Sequence, residues 1–285
     1  MMNEDRLKGA FLGLAVGDAL GTTLEFSPRP AQPVVTDMVG GGPFGLAPGG
    51  WTDDTSMALC LADSLLEHPG FDPDDLMRRF VNWWRTGHNS HTGTCFDIGI
   101  TTSWALARFA QGGDPFAGST DPRSAGNGGI MRLAPVVLAF HADPERMREV
   151  AALQSRTTHA APECLEFAAQ LADAIHAEIR GEGALVTGLS RASVSSSGYV
   201  RHTFDAAVWA VATTGSFREA LLAAVNLGDD ADTVSAVAGQ IAGARYGLAG
   251  IPGEWLTKLA WRERIETRAD RLIASGRKQA SDRNA

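Results

Sequence analysis

The stretch that decides the fold is Leu227–Gly247, LGDDADTVSAVAGQIAGARYG. Val234, Val237 and Ile241 recur at spacings of three and four, the period of a helix. Asp230, Asp232 and Thr233 therefore crowd that helix's N-terminus, where the macrodipole favours negative charge. A helix end donates only a few hydrogen bonds, and clustered carboxylates repel, so a hard cation is an effective remedy. A capped helix with a solvated acidic start is the competing reading. On the same helix, Gly239, Gly243 and Gly247 stand four residues apart. An interior glycine costs roughly 1 kcal/mol relative to alanine. A stripe of glycines on one face therefore predicts close approach of another backbone.

A partner for that stripe is visible at the other end of the chain. Gly9, Gly13, Gly17 and Gly21 repeat the same interval in a predicted helix over 6–21, with Leu7, Phe11, Leu14 and Ala15 on its apolar face. The two striped helices are expected to pack at the centre of the molecule. Between them the helical period recurs and no segment alternates for long as a strand. Helices are predicted near 162–180, 203–212 and 217–225, and Asp72-Pro73 and Asp143-Pro144 read as helix starts. The expected architecture is all-α, a single compact domain over residues 1–270, with an amphipathic helix beyond Trp255 and a frayed tail over 271–285. Trp83 and Trp84 are expected in the core.

A chain of 285 residues with 44% hydrophobic residues can bury a large core, and its net charge of −8 argues against non-specific nucleic-acid binding. Residues 9–21 could pass for a signal-peptide core, but Glu4 and Asp5 precede the run and Asp18 interrupts it. No apolar run reaches membrane-spanning length. The three cysteines, Cys60, Cys95 and Cys164, are far apart and suggest a reducing compartment. The reading is cytoplasmic.

A second oxygen cluster opens another predicted helix at Thr52-Asp53-Asp54, more than capping requires. Thr52, Asp53, Asp54, Asp230, Asp232 and Thr233 make a set of carboxylates and hydroxyls without cysteine or histidine. Such a set selects Mg²⁺ or Mn²⁺, and it could share two ions bridged by a carboxylate. The Pro- and Gly-dense segment 27–50 reads as a loop, either a lid or a mobile connector. Asp97 lies in an otherwise apolar stretch, as an N-cap or a functional acid. Gly126-Asn127-Gly128-Gly129 exposes backbone N–H groups in the way phosphates are often held, though it matches no phosphate-loop fingerprint. His159 read alone is structural.

These segments together resemble the ADP-ribosylglycohydrolase family, in particular its dinitrogenase-reductase-activating glycohydrolase branch. The similarity is carried by GLAVGDALGTTLEF, GGWTDDTSMAL, TCFDIG, GNGGIMRLAPV, SRTTHA, SGYVRHTFDAAVWA and NLGDDADTVSAVAGQIAGARYG, in order from Gly13 to Gly247. The resemblance implies an all-α hydrolase that uses two Mg²⁺ or Mn²⁺ to cleave the glycosidic bond between ADP-ribose and an acceptor, typically a protein arginine. It implies an ADP-ribosylated protein as partner and ADP-ribose as product. By resemblance, Thr52, Asp53, Asp54, Asp230, Asp232 and Thr233 match the metal ligands. Glu25 and Asp97 match acids used near the metals. Asn127, Gly128 and Gly129 match the diphosphate loop, His159 a substrate-contacting histidine, and Tyr199 the aromatic that stacks on adenine. The family often has Gly-Gly-Asp before its last ligands; this chain has Gly228-Asp229-Asp230. A non-catalytic ADP-ribose-binding or crystallin-like relative, or a hydrolase of another ADP-ribose-linked molecule, are the alternatives.

Overall fold

The computed structural model describes residues 3–283. Its described residues form helices and loops with three isolated bridges, as an all-α reading requires. In chain order the helices are α1 (Glu4–Gly21), α2 (Asp53–Glu67), α3 (Pro73–Thr86), α4 (Ile100–Gly112), α5 (Ala134–Phe140), α6 (Pro144–Arg156), α7 (Pro162–Arg180), α8 (Val200–Ala212), α9 (Phe217–Val225), α10 (Ala231–Tyr246), α11 (Gly253–Lys258) and α12 (Arg262–Arg283).

The two glycine-striped helices, α1 and α10, run antiparallel through the centre. A Cβ on Gly13 would lie 2.1 Å from the Gly239 carbonyl oxygen, and one on Gly9 2.3 Å from that of Gly243. Gly17 faces the Ser235 carbonyl at 2.0 Å and Gly21 that of Ala231 at 2.4 Å. The crossing therefore tolerates no side chain along four turns of α1, and Ser235 and Ala231 take the places of further glycines. Gly247 is different: its φ of +77° ends α10, a conformation glycine adopts without strain. Both helices are buried almost all round, with Leu7, Phe11 and Leu14 of α1 and Val234, Val237 and Ile241 of α10 fully buried. This is the pattern of helices at the core rather than on the surface.

The remaining helices wrap this pair. α9 and α8 pack on α10, α6 on α7, and α12 on α1 and α5. Trp83 is fully buried in α3, whereas Trp84 is half-buried at the edge of the core. Two expectations are corrected. Over the described residues the tail beyond 270 does not fray: α12 continues to Arg283, with Leu272 and Ile273 buried. Those apolar residues continue the amphipathic stripe, so the domain boundary at 270 falls inside a packed helix. The segment 27–50, read as a lid or a mobile connector, is tied to the body at several points, and none of its residues lines the main cleft. The Asn226 side chain accepts from the Val34 and Val35 N–H groups, Arg29 donates to the Leu227, Arg191 and Val194 carbonyls, and Lys258 donates to Met38.

Candidate active site

The N-termini of α2 and α10 meet beside the C-terminal half of α1. The N-cap residues themselves, Thr52 at α2 and Asp230 at α10, make no side-chain capping bond, although within α10 Asp232 Oδ1 accepts from the Thr233 N–H at 2.7 Å. The cap of α2 comes from another helix. Asp18 of α1 accepts from the Thr52 N–H at 2.8 Å and the Thr55 N–H at 3.0 Å, and from their hydroxyls at 2.9 and 2.6 Å. Four bonds occupy the acceptor capacity of one carboxylate. The Thr52 hydroxyl donates to Asp18, which leaves its oxygen lone pairs free beside Asp232. Sequence reasoning registered Asp18 only as an interruption of an apolar run. The available signal was an acid inside a helix that is otherwise buried on every side.

The two clusters interlock. Thr52 Oγ1 lies 3.3 Å from Asp232 Oδ2, and Thr233 Oγ1 lies 3.3 Å from Asp54 Oδ1, so each cluster's hydroxyl reaches the other's carboxylate. Oxygens of Asp18, Asp54 and Asp232 approach within 4.8 Å of one another, as do those of Glu25, Asp97 and Asp232. Asp232 belongs to both groups and sits between them. Asp53, Asp230 and Thr233 line the same cleft with Glu25 and Asp97. Asp230 accepts from the Asn127 side-chain amide, which is also held by Thr203 at 2.9 Å.

This concentration of acid is electrostatically unfavourable as it stands. Burial first, then neighbouring carboxylates, push Asp53, Asp54 and Asp232 well above the ordinary aspartate range. Asp230 is also raised, chiefly by burial. Burial lifts Glu25 and Asp97 too, and Glu25 is held the higher of the two, with Asp97 as its nearest repelling charge. Asp54 Oδ2 and Glu25 Oε2 are buried without a hydrogen-bond partner. Two groups of carboxylates, each holding a residue with an orphaned buried oxygen and both sharing Asp232, suit a hard, oxygen-seeking cation, so the donor set fits Mg²⁺ or Mn²⁺.

The cleft has a volume of about 360 Å³, and its wall continues through Asn127, Gly128 and His159. That volume lies within the usual range for small-molecule sites. The His159 ring lies flat against the glycine turn: a Cβ on Gly128 would stand 2.4 Å from His159 Cε1, and one on Gly126 3.2 Å from Nε2. Gly129 does not line the cleft; its Cα faces the Ser155 hydroxyl and its carbonyl accepts from Gln154. Tyr199 also lies outside the main cleft. It borders a shallow neighbouring depression with Gly126 and Gly198, where its hydroxyl donates to Glu163 at 2.6 Å. The two hollows adjoin through the glycine turn, which pairs with the segment entering α8 by Asn127 N–H to Gly198 O and Val200 N–H to Ala125 O.

Three residues at the site hold left-handed backbone that costs an L-residue energy. Phe26 has φ of +58°, Asp97 of +61° and Asp229 of +62°. The last lies where the family often carries glycine, and aspartate is among the side chains that tolerate this conformation. Its backbone exchanges bonds with Phe26 and Ser27, which ties the Glu25 segment to the start of α10.

An interlocked two-helix acid site on a glycine-packed helical core can hold a hard cation beside a cleft open to a small molecule. A family profile described as ADP-ribosylglycohydrolase matches residues 2–282, and the chain belongs to that family. It is 45% identical over 290 residues to the ADP-ribosylarginine hydrolase Tri1 of Pseudomonas putida (strain GB-1), covering 94% of this chain and 78% of that protein. It is 34% identical to the ADP-ribosyl-[dinitrogen reductase] glycohydrolase of Rhodospirillum rubrum, covering 95% of this chain and 96% of that one. A solved structure titled "ADP-ribosylglycohydrolase-related protein complex" superposes with a TM-score of 0.84 at 44% identity, over 96% of this chain and 98% of the other. The chain is a glycosidic-bond hydrolase by family.

Proposed function

We propose that the protein hydrolyses the N-glycosidic bond joining ADP-ribose to a protein arginine, with a pair of Mg²⁺ or Mn²⁺ ions as cofactors. The observation that carries this reading is the sharing of Asp232 between two groups of carboxylates. Thr52, Asp53, Asp54, Asp230, Asp232 and Thr233 would hold the ions. Glu25 and Asp97 complete the second group. Asp18, saturated by its four bonds, positions Thr52 instead of ligating. When bound, the cations supply Lewis-acid stabilisation and orient the oxygens of the substrate ribose.

The chain's own groups then have separable tasks. Breaking an N-glycosidic bond builds positive charge on the sugar, and the surrounding carboxylates stabilise that charge. We assign removal of the proton from the attacking water to the Glu25–Asp97 pair, whose carboxyls sit beside Asp232 and open onto the cleft. The Gly128 N–H makes no backbone bond among the described residues and remains for the diphosphate, Gly129 behind it shapes the turn, and the Asn127 side chain is engaged with Asp230. Tyr199, in the adjoining hollow, would receive the adenine. The arginine acceptor follows the names of the similar proteins. No helix among the described residues is long and apolar enough to cross a membrane, and with three free cysteines we place the protein in the cytoplasm.

The test is release of free ADP-ribose from an arginine-ADP-ribosylated protein with Mg²⁺, with Mn²⁺ and with chelator, using a serine-linked substrate as specificity control. Release that chelator abolishes is the expected result. Asp232→Asn should lower turnover at least about a hundredfold, the scale of losing a charged transition-state stabiliser, with helical circular dichroism retained. Unchanged turnover in that variant would remove the shared-ligand assignment.

A further inference from the structure

Behind the glycine turn lies a buried guanidinium with no carboxylate partner. Arg132 is fully buried; the charge of Asp53 acts on it at a distance, but no described acid lies within ion-pair reach. Its Nε donates to Gln154 Oε1 at 3.0 Å, and its Nη2 to the Gln154 carbonyl at 3.1 Å and to Thr158 Oγ1 at 2.8 Å. The guanidinium carbon stands 4.6 Å from the centre of the Phe80 ring. Thr158 Oγ1 in turn lies 2.9 Å from His159 Nδ1.

Proton counting orders this chain. Arginine only donates, so the Thr158 oxygen accepts from Arg132. The hydroxyl has one proton, and His159 Nδ1 is the remaining acceptor within reach. Nδ1 must then carry a lone pair, which places the ring proton on Nε2. Nε2 has no hydrogen-bond partner among the described residues, on a side chain that lines the cleft. The ring cannot turn away: Gly126 and Gly128 close over one side, and Ser155 Oγ holds the His159 carbonyl at 3.0 Å.

We infer that Arg132 and Thr158 are positioning residues that fix His159 as the Nε2–H tautomer, making it a neutral hydrogen-bond donor to an oxygen of the bound ADP-ribose moiety. The ligand identity rests on the proposed function; the tautomer does not. The arrangement answers a problem specific to this site. A protonated imidazole lining a cleft rich in carboxylates would bind the protein's own acids. Burial, reinforced by the Arg132 charge, instead pulls its pKa down to about 3. The donor therefore remains directed at substrate.

The experiment is ¹⁵N NMR of the histidine rings in the full-length, Mg²⁺-loaded protein, with calorimetric titration of ADP-ribose. His159 should show a pyridine-type Nδ1 and a pyrrole-type Nε2 at neutral pH. Thr158→Val should mix the tautomers and weaken ADP-ribose binding about tenfold, the effect of one lost hydrogen bond of upper-range strength. Thr158→Ser should restore both. A pyrrole-type Nδ1 in the wild-type spectrum overturns the inference, and that reading needs no variant to fold. A folded Thr158→Val with wild-type ADP-ribose affinity also overturns it. Absence of hydrolytic activity would count against the proposed function and leave the tautomer to be decided by the spectrum.

Discussion

A single carboxylate, Asp18, shows how a residue can shape the site from outside it. Its two oxygens accept both N–H groups and both hydroxyls of Thr52 and Thr55. An N-cap is ordinarily local, supplied by the residue that begins the helix. Here it is supplied across the core, so the start of α2 stays free to present Asp53 to the cleft and to turn Asp54 towards Thr233. Asp18→Ala would leave four buried donors without an acceptor. Against this stands the relief of a buried acid whose pKa burial raises to about 6. The lost bonds outweigh that relief, and chemical denaturation with Mg²⁺ present should show a loss of about 2 kcal/mol. Equal or greater stability would mean that the buried charge dominates.

At the scale of elements, the α1–α10 crossing sets the site. Because backbone meets backbone there, the N-terminus of α10 comes within reach of the C-terminal half of α1, and α2 is drawn in through Asp18. Gly13→Ala would place a methyl 2.1 Å from the Gly239 carbonyl oxygen. Rigid backbone cannot yield as a side-chain tip can, so the helices must separate. We expect a loss of about 3 kcal/mol in urea unfolding, at the upper end of overpacking costs, together with weaker metal binding in the protein that remains folded. Gly112→Ala in α4, where an added Cβ meets nothing within 4 Å, is the control and should change stability little. The tail belongs to this scale as well. α12 lies against α1 and α5, and Gly276 comes 2.7 Å from the Ala139 carbonyl when a Cβ is added, which is a packed helix end and not a loose one.

For the whole molecule the dominant feature is charge gathered at one place. The net charge of −8 is modest, yet the buried acids of the cleft all have raised pKa values. The folded state therefore holds protons that the unfolded chain releases. Where the native state binds more protons, stability falls as pH rises. Without divalent cations, the melting temperature should fall as pH rises from the ordinary aspartate range, near 3.8, through about 7, the value towards which Asp97 is pushed. Adding Mg²⁺ or Mn²⁺ should flatten that slope, because cations take the place of the protons. Thermal melts at several pH values, with chelator and with each metal, check this. A melting temperature that rises with pH in chelator would show that the acids are not mutually destabilising.

Much of this was legible in the sequence because it rests on local periodicity and composition. The four-residue glycine intervals predicted two helices that touch, and the boundaries of α7 and α9 follow from proline, glycine and serine signals at their ends. The two acid clusters were visible as more oxygen than a helix end needs. What the chain could not show in one dimension was partnership between distant residues. That Asp18 caps α2, that Asp232 is shared between Asp54 and Glu25–Asp97, and that Arg132 reaches His159 through Thr158 are facts of tertiary contact. So is the pinning of 27–50, whose loop composition predicted mobility but whose backbone finds acceptors and donors on α9 and beyond. Sequence determines which groups are present and on which face of an element they fall. Only the packing of elements decides which buried donor meets which acceptor, because that choice is made by desolvation across the core and not along the chain.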